Sequence, residues 1–275
     1  MRFAKGHGTE NDFVILPDPD GALDLRPAAV ARLCDRRAGI GADGVLRVVR
    51  TAALGEALTG PAASAAECEW FMDYRNADGS VAEMCGNGVR VFARYLADRG
   101  LVSGGELAVG TRAGARRVVL EDDGDATVDM GRPEVLGEAE VVLAGGPVQG
   151  VRVDVGNPHL ACRVAGGPAG VDLSGRPQLD PAQFPEGANV EVFAQVAPGI
   201  LEMRVNERGS GETRSCGTGI VAVAVAATPP GEEAAWRVRV PGGECVVLLD
   251  AEGARLRGPA VLVAEGEILA DLDTP

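Results

Sequence analysis

The sequence predicts a mixed α/β protein built as two similar halves, and three observations carry that prediction. Met84-Cys85-Gly86-Asn87-Gly88 and Ser215-Cys216-Gly217-Thr218-Gly219 read as two versions of one turn, each followed by a run that can be helical. Strand-like stretches separated by glycine-containing turns fill most of the remainder, with few helical patterns. Asn76 and Glu207 precede the two cysteines by the same interval, each across a glycine-containing turn. A Cys-Gly-polar-Gly turn at a helix start leaves backbone N–H groups uncovered, where they can hold an anion or stabilise a thiolate.

Taken in order, Met1 to Lys5 and Asp12 to Leu16 read as strands joined through Gly8-Thr9-Glu10-Asn11-Asp12. Pro27 to Arg37 reads as a helix, with proline in its first turn and Gly39 just past its end. Gly39-Ile40-Gly41-Ala42-Asp43-Gly44 turns into the strand Val45 to Val49, and residues 51–66, rich in Ala, Gly, Pro and Ser, read as a surface loop without chemistry. Glu67 to Tyr74 places Cys68, Trp70, Met72 and Tyr74 on one face and Glu67, Glu69 and Asp73 on the other, the period of a half-buried strand. After Cys85, the residues Val89, Phe92, Ala93 and Leu96 form a helical stripe, with Arg90, Arg94 and Asp98 on another face and Gly100 as the stop. Val118 to Val128 reads as a hairpin, and the boundary between halves is expected near residue 118. Val151 to Val155, Val190 to Ala194 and Ile200 to Asn206 are further strands, and Cys245 to Leu256 a final hairpin. Ile220 to Val225 is β-branched enough for a strand, but its place after Cys216-Gly217-Thr218-Gly219 argues for a helix. Being apolar all round, that helix would have to be buried.

A chain of 275 residues has length for one large domain or two smaller ones. Its formal charge of −14, from 40 acidic and 26 basic residues, argues against nucleic acid or an anionic membrane as partner. Lys5 is the only lysine and sits in no pyridoxal-binding pattern, which makes that cofactor unexpected. The six cysteines include no Cys-x-x-Cys pair and there are two histidines, so no metal is expected either. The N-terminus lacks a secretory h-region, and reduced cysteines in a cytoplasmic protein are the expectation.

Several segments together resemble the diaminopimelate epimerase family. They are Lys5-Gly6-His7-Gly8 with Asn11-Asp12-Phe13, Gly39 to Gly44, Asn76-Ala77-Asp78-Gly79-Ser80, and Met84 to Arg90. They continue through Gly156-Asn157-Pro158-His159, Asn189-Val190-Glu191, and Glu207-Arg208-Gly209 running on to Cys216-Gly217-Thr218-Gly219. Each segment is a weak signal, but all of them in order form a strong one. The resemblance implies two α/β halves, each a curved sheet or barrel around a central helix, with the site in the cleft between them. The halves would be 1–118, completed by 264–275, and 119–263.

The resemblance also implies an activity: cofactor-independent interconversion of LL- and meso-2,6-diaminopimelate, in lysine and peptidoglycan synthesis, by a homodimer. Inverting an α-amino acid centre needs one base on each face of Cα, one as thiolate and one as thiol. The resemblance assigns these to Cys216 and Cys85, supported by His159 and Glu207. It assigns substrate contacts to Asn11, Asn76, Gly86, Asn87, Asn157, Asn189, Glu207, Arg208, Gly217 and Thr218. A helix N-terminus is expected to lower each thiol pKa from its usual value of about 8.5. Many relatives carry glutamine where this chain has Gly44. A proline racemase of the same architecture is the rival reading, although its first motif usually carries histidine where this chain has Asn87. A non-catalytic amino-acid-binding protein is a third reading, against which the paired cysteines weigh.

Overall fold

The computed structural model describes residues 1–269. The chain divides into two compact units, one formed by Met1–Val128 with the chain from Pro259 on, the other by Asp129–Gly258. The division thus falls ten residues beyond the expected 118, because residue 118 lies inside the strand Gly114–Leu120, which pairs with Glu106–Thr111 of the first unit. Residues 270–275 of the expected C-terminal return lie outside the described residues.

In the first unit, β1 (Arg2–Gly8) and β2 (Asn11–Pro17) form a hairpin whose turn holds Thr9 and Glu10 at φ of 50° and 61°. Helix α1 (Pro27–Cys34) follows. It stops short of Arg37, because the Asp35 carboxylate accepts from the N–H groups of Arg37 and Ala38 and turns the chain away. Then come β3 (Gly44–Arg50), β4 (Trp70–Asn76), α2 (Gly86–Asp98), β5 (Glu106–Thr111), β6 (Gly114–Leu120) and β7 (Asp125–Gly131). Residues expected to be a plain loop between β3 and β4 instead form 3-10 turns, Thr51–Ala53 and Gly60–Glu67. Ala65 is buried there with Val49, Leu54 and Phe71. Strand β4 is buried on both faces rather than one. Asp73 is tolerated inside because Arg47, Arg75 and Arg112 all bond its carboxylate.

The second unit runs through β8 (Glu134–Leu143), β9 (Gly146–Asp154), β10 (Pro158–Arg163), β11 (Gln178–Leu179), β12 (Asn189–Ala197), β13 (Ile200–Glu207) and β14 (Gly211–Thr213). It continues with α3 (Gly217–Ala227), β15 (Ala234–Val240), β16 (Gly243–Asp250) and β17 (Gly253–Pro259). Strand β18 (Val261–Glu267) returns to pair with β1. The valine-rich run is therefore helical. In α3, Ile220 to Ala224 are fully buried, and strands supply the apolar surroundings that such a helix needs.

Strand order exposes a duplicated plan. The first unit reads β18-β1-β2-β3-β4-β5-β6-β7, and its successive pairings are antiparallel, antiparallel, parallel, antiparallel, parallel, antiparallel, antiparallel. The second reads β8-β9-β10-β12-β13-β15-β16-β17 with the same series. Helix α2 packs on β1 to β6 and on β18, and α3 on β9, β10, β12, β13, β15 and β16. A helix that touches nearly every strand of a sheet requires that sheet to curl around it. The fold is thus mixed α and β with two pseudo-symmetric halves, each a curved sheet around a central helix.

Candidate active-site residues

Each cysteine of interest caps a central helix. Cys85 precedes α2 in an extended conformation, and its Sγ accepts from the Gly88 N–H at 3.4 Å. Cys216 holds the same place before α3, with Sγ 3.5 Å from Thr218 Oγ1. Close packing forbids a side chain at the second helix start and leaves little room at the first. A Cβ at Gly88 would lie 3.3 Å from Leu46 Cδ2, and one at Gly219 only 2.6 Å from Glu191 Oε1. Cys85 is half-buried, whereas Cys216 is buried.

Around Cys85 the structure gathers Asn11 and Asn87. Asn11 Oδ1 accepts from Cys85 Sγ at 3.6 Å and from Asn87 Nδ2 at 3.2 Å, while Asn11 Nδ2 donates to Asp43 Oδ2 at 2.8 Å. Asn87 Oδ1 accepts from Arg90 at 2.8 Å. Arg90, expected on a polar helix face, is instead completely buried, held also by the Pro259 carbonyl and Thr9. Asn76 takes no part in this network. It sits at the end of β4 and donates to Ser80 Oγ. Gly44 pairs with Asn76 and has no room for the glutamine of many relatives, since even a Cβ would lie 2.5 Å from the Arg75 carbonyl oxygen.

In the second unit His159 is the first fully buried residue of β10. Its Nδ1 lies 2.7 Å from Glu191 Oε1, and its Nε2 lies 3.0 Å from Asn157 Oδ1. Glu191, on β12, is itself fully buried, with Oε2 unpartnered among the described residues. Two completely desolvated ionisable groups in contact are expensive, so they are kept only where geometry and hydrogen bonding are good. Asn189 Oδ1 accepts from the Arg208 N–H at 2.9 Å, and Glu207 accepts from Thr213 Oγ1. The Arg208 guanidinium reaches the Glu186 carboxylate at 3.6 Å and stays substantially exposed.

The expectation of a lowered thiol pKa fails at Cys216. Burial pushes its thiol well above the ordinary value, and the Glu207 and Glu191 carboxylates push it further. The Thr218 hydroxyl and Gly219 N–H pull the other way and lose. Burial likewise raises Cys34 to about 11 and Cys162 to about 12. A raised pKa therefore does not separate Cys216 from bystander cysteines. Its place at the start of α3 does.

Glu191, Asp43 and Arg90 are contacts that the sequence reading passed over as site residues. Glu191 carried a signal, being the one charged residue in Val190-Glu191-Val192-Phe193-Ala194, an otherwise apolar strand. A pocket of about 520 Å³ lined by Arg50, Thr51, Glu56, Cys68 and Glu69 includes neither cysteine turn, so it is not the candidate site. Among the described residues no three His, Cys, Asp or Glu side chains gather to hold a metal ion, and no helix is long and apolar enough to cross a membrane.

Comparison with known proteins fixes the family. The diaminopimelate epimerase family model matches residues 3–136 and 151–267. The chain belongs to the diaminopimelate epimerase family. It is 72% identical to a diaminopimelate epimerase of Thermobifida fusca (strain YX), over 98% of each chain, and 54% identical to one of Streptomyces coelicolor, over 97% of this chain and 95% of that one. Family membership makes it an isomerase of the epimerase class. Among solved structures it resembles a probable proline racemase from Agrobacterium radiobacter K84, with a TM-score of 0.68 over 100% of this chain and 94% of that chain. At 13% identity this likeness speaks to fold alone.

Proposed function

We propose that this protein interconverts LL- and meso-2,6-diaminopimelate without a cofactor, by proton transfer at Cα between two cysteine bases. The observation that carries the reading is the pair of equivalent helix starts, each capped by a cysteine in the same Cys-Gly-polar-Gly turn. Binding alone does not need two such thiols. Starting from the LL isomer, the Cys216 thiolate takes the Cα proton and the C–H electron pair remains on the substrate. The Cys85 thiol then delivers its proton to the opposite face, leaving Cys216 as thiol and Cys85 as thiolate. The reverse reaction exchanges the roles.

The backbone N–H groups at Gly86, Asn87, Gly217 and Thr218 would cradle the α-carboxylate and stabilise the carbanion-like transition state. Asn11, Asn76, Asn157, Asn189, Glu207 and Arg208 would receive the polar groups of a substrate charged at both ends. The high pKa of Cys216 fits this chemistry. It lowers the thiolate fraction in the free protein, but makes each thiolate a stronger base toward a weakly acidic Cα–H. A substrate ammonium near Glu207 would offset the carboxylates that raise it. Glu207 and His159 would set thiol protonation and orientation. In the cell the reaction would serve lysine and peptidoglycan synthesis in the cytoplasm, with the enzyme acting as a homodimer.

The test offers reduced protein LL-diaminopimelate or L-proline in D2O and follows Cα deuterium and product stereochemistry. Inversion of diaminopimelate alone supports the reading. Inversion of proline moves the protein to racemase chemistry, and tight binding without exchange on either contradicts an enzymatic role for the thiols.

A further inference from the structure

We propose that Asp43 and Arg90 are positioning residues that set the direction of a hydrogen-bond chain through Asn87 and Asn11, and so hold the proton of Cys85 on its sulfur. An asparagine amide can face either way, and its direction has to be read from its partners. Here the two ends allow one solution. The Arg90 guanidinium can only donate, so the amide oxygen of Asn87 faces it, at 2.8 Å. That turns Asn87 Nδ2 toward Asn11 Oδ1, at 3.2 Å. The Asp43 carboxylate can only accept, so Asn11 Nδ2 faces it, at 2.8 Å. Both constraints agree, and Cys85 Sγ, 3.6 Å from Asn11 Oδ1, is left opposite an acceptor.

An acceptor favours the S–H form and disfavours the thiolate, whereas the Gly88 N–H at 3.4 Å acts in the opposite sense. Arg90, Asn87 and Asn11 are all buried, which makes a reversed amide costly. Asp43 is held in turn: Arg36 bonds Oδ1 at 2.8 Å and the Asp12 N–H bonds Oδ2 at 3.2 Å. The charged groups around the chain are Lys5 on β1, Asp12 on β2, Arg36 and Asp43 in the segment after α1, and Arg90 on α2. The role in turnover rests on the proposed epimerisation, in which Cys85 must begin as the proton donor when the LL isomer is the substrate. In the second unit Asn157, placed there as Asn11 is here, bonds His159 instead.

The test uses the full chain and needs no substrate. Cys85 alkylation by iodoacetamide is followed by peptide mass spectrometry across pH, and the midpoint is compared among variants. Asp43→Asn removes the stronger of the two constraints, so the Asn11 amide can turn its N–H toward sulfur at the expense of its 3.2 Å contact with Asn87, and the midpoint should fall by about one pH unit. Asp43→Glu should keep the wild-type midpoint. Removing a negative charge would also lower a thiol pKa, so the decisive arm is a double-mutant cycle with Asn11→Ala. In the Asn11→Ala background, Asp43→Asn should produce no further shift. A shift that persists there is charge acting through space and overturns the proposal, as does an unmoved midpoint in Asp43→Asn alone.

Should Asp43→Asn fail to fold, side-chain amide NMR of the wild type decides. Nuclear Overhauser contacts from the Asn11 Nδ2 protons to the Asp43 Cβ protons, stronger than any to the Cys85 Cβ protons, are expected, and the reverse order would overturn the proposal. Absence of Cα exchange by the wild type would defeat the functional reading while leaving this titration informative.

Discussion

The two units use one strand order and place a cysteine at the same helix start, yet they fill the space beneath that start with opposite chemistry. In the first unit Phe13 pairs with Gly44 on the neighbouring strand, and Leu46 lies two residues on. In the second, His159 pairs with Asn189 in the equivalent register, and Glu191 lies two residues on. Contacts at the helices agree, since Leu46 lies against Gly88 and Glu191 against Gly219. An apolar pair in one unit is thus a buried imidazole–carboxylate pair in the other. The lesson is that the thiols stand in unlike electrostatic surroundings. Cys216 sits deep beside two carboxylates, while Cys85 is half-buried beside an amide oxygen. A reaction that needs one thiol and one thiolate at any instant gains from such an asymmetry.

The largest expected effects break the equivalence of the two turns. Cys85→Ala and Cys216→Ala should each lower epimerisation of diaminopimelate by at least about 10²–10⁴-fold, the usual weight of a general acid or base. Stereochemical turnover assays on the reduced protein check this, and near-normal turnover in either variant would show that the thiol does not act. Next comes the buried pair. Glu191→Leu alone removes the carboxylate from buried His159, leaving Asn157 as its contact, and should cost about 3–5 kcal/mol in denaturant unfolding. The double change His159→Phe with Glu191→Leu copies the first unit. It should restore stability to within about 1 kcal/mol of wild type or better, without restoring activity. A double variant as unstable as the single one would mean the pair is not exchangeable for apolar packing.

A smaller contrast lies in the helix-start glycines. Gly219→Ala drives a Cβ against the locked Glu191 carboxylate and should destabilise by about 1–3 kcal/mol. Gly88→Ala is tight only against the end of Leu46 and makes ordinary contact with Cys85, so it should stay within about 1 kcal/mol of neutral, helped by the better helix propensity of alanine. Equal effects would remove the asymmetry. The smallest effects concern pH. Cys216 is raised in the folded protein, so its contribution to stability is complete below about pH 8.5 and declines as pH rises toward the folded value. Asp73 behaves oppositely. Burial alone would raise it, but the Arg75 and Arg112 guanidinium groups outweigh burial and hold it low. Its contribution is complete above about pH 3.9 and is lost as pH falls through the folded value. Thermal unfolding across pH should therefore show a flatter alkaline limb in Cys216→Ala and a flatter acid limb in Asp73→Asn.

Much of this was legible in the sequence because it depends on local pattern. The stripe Val89, Phe92, Ala93, Leu96 gave α2, and the echo between the cysteine turns gave α3 despite its valines. The turn glycines and the cysteines could be read as helix caps for the same reason. What stayed hidden depends on partners distant in sequence. Arg90 and Asp73 alternate with apolar residues as surface charges do, yet each is buried because other segments bring it ionic or amide partners. The 3-10 turn Gly60–Glu67 is fixed by contacts with β5 and β6, and Thr51–Ala53 packs on it in turn, which no local propensity announces. The raised pKa of Cys216 follows first from its burial and then from Glu207 and Glu191, which arrive from other strands, and together these override the helix start.

The most direct test of the two-base account is where solvent deuterium appears at low conversion. Reduced protein is given LL-diaminopimelate in D2O, the reaction is stopped before a tenth is consumed, and the isomers are separated and weighed by mass spectrometry. Two distinct bases, one on each face, predict deuterium at Cα of the meso product while recovered LL substrate remains unlabelled. Equal early labelling of recovered substrate and product, or product that keeps the original hydrogen, would point to a single base and contradict the account.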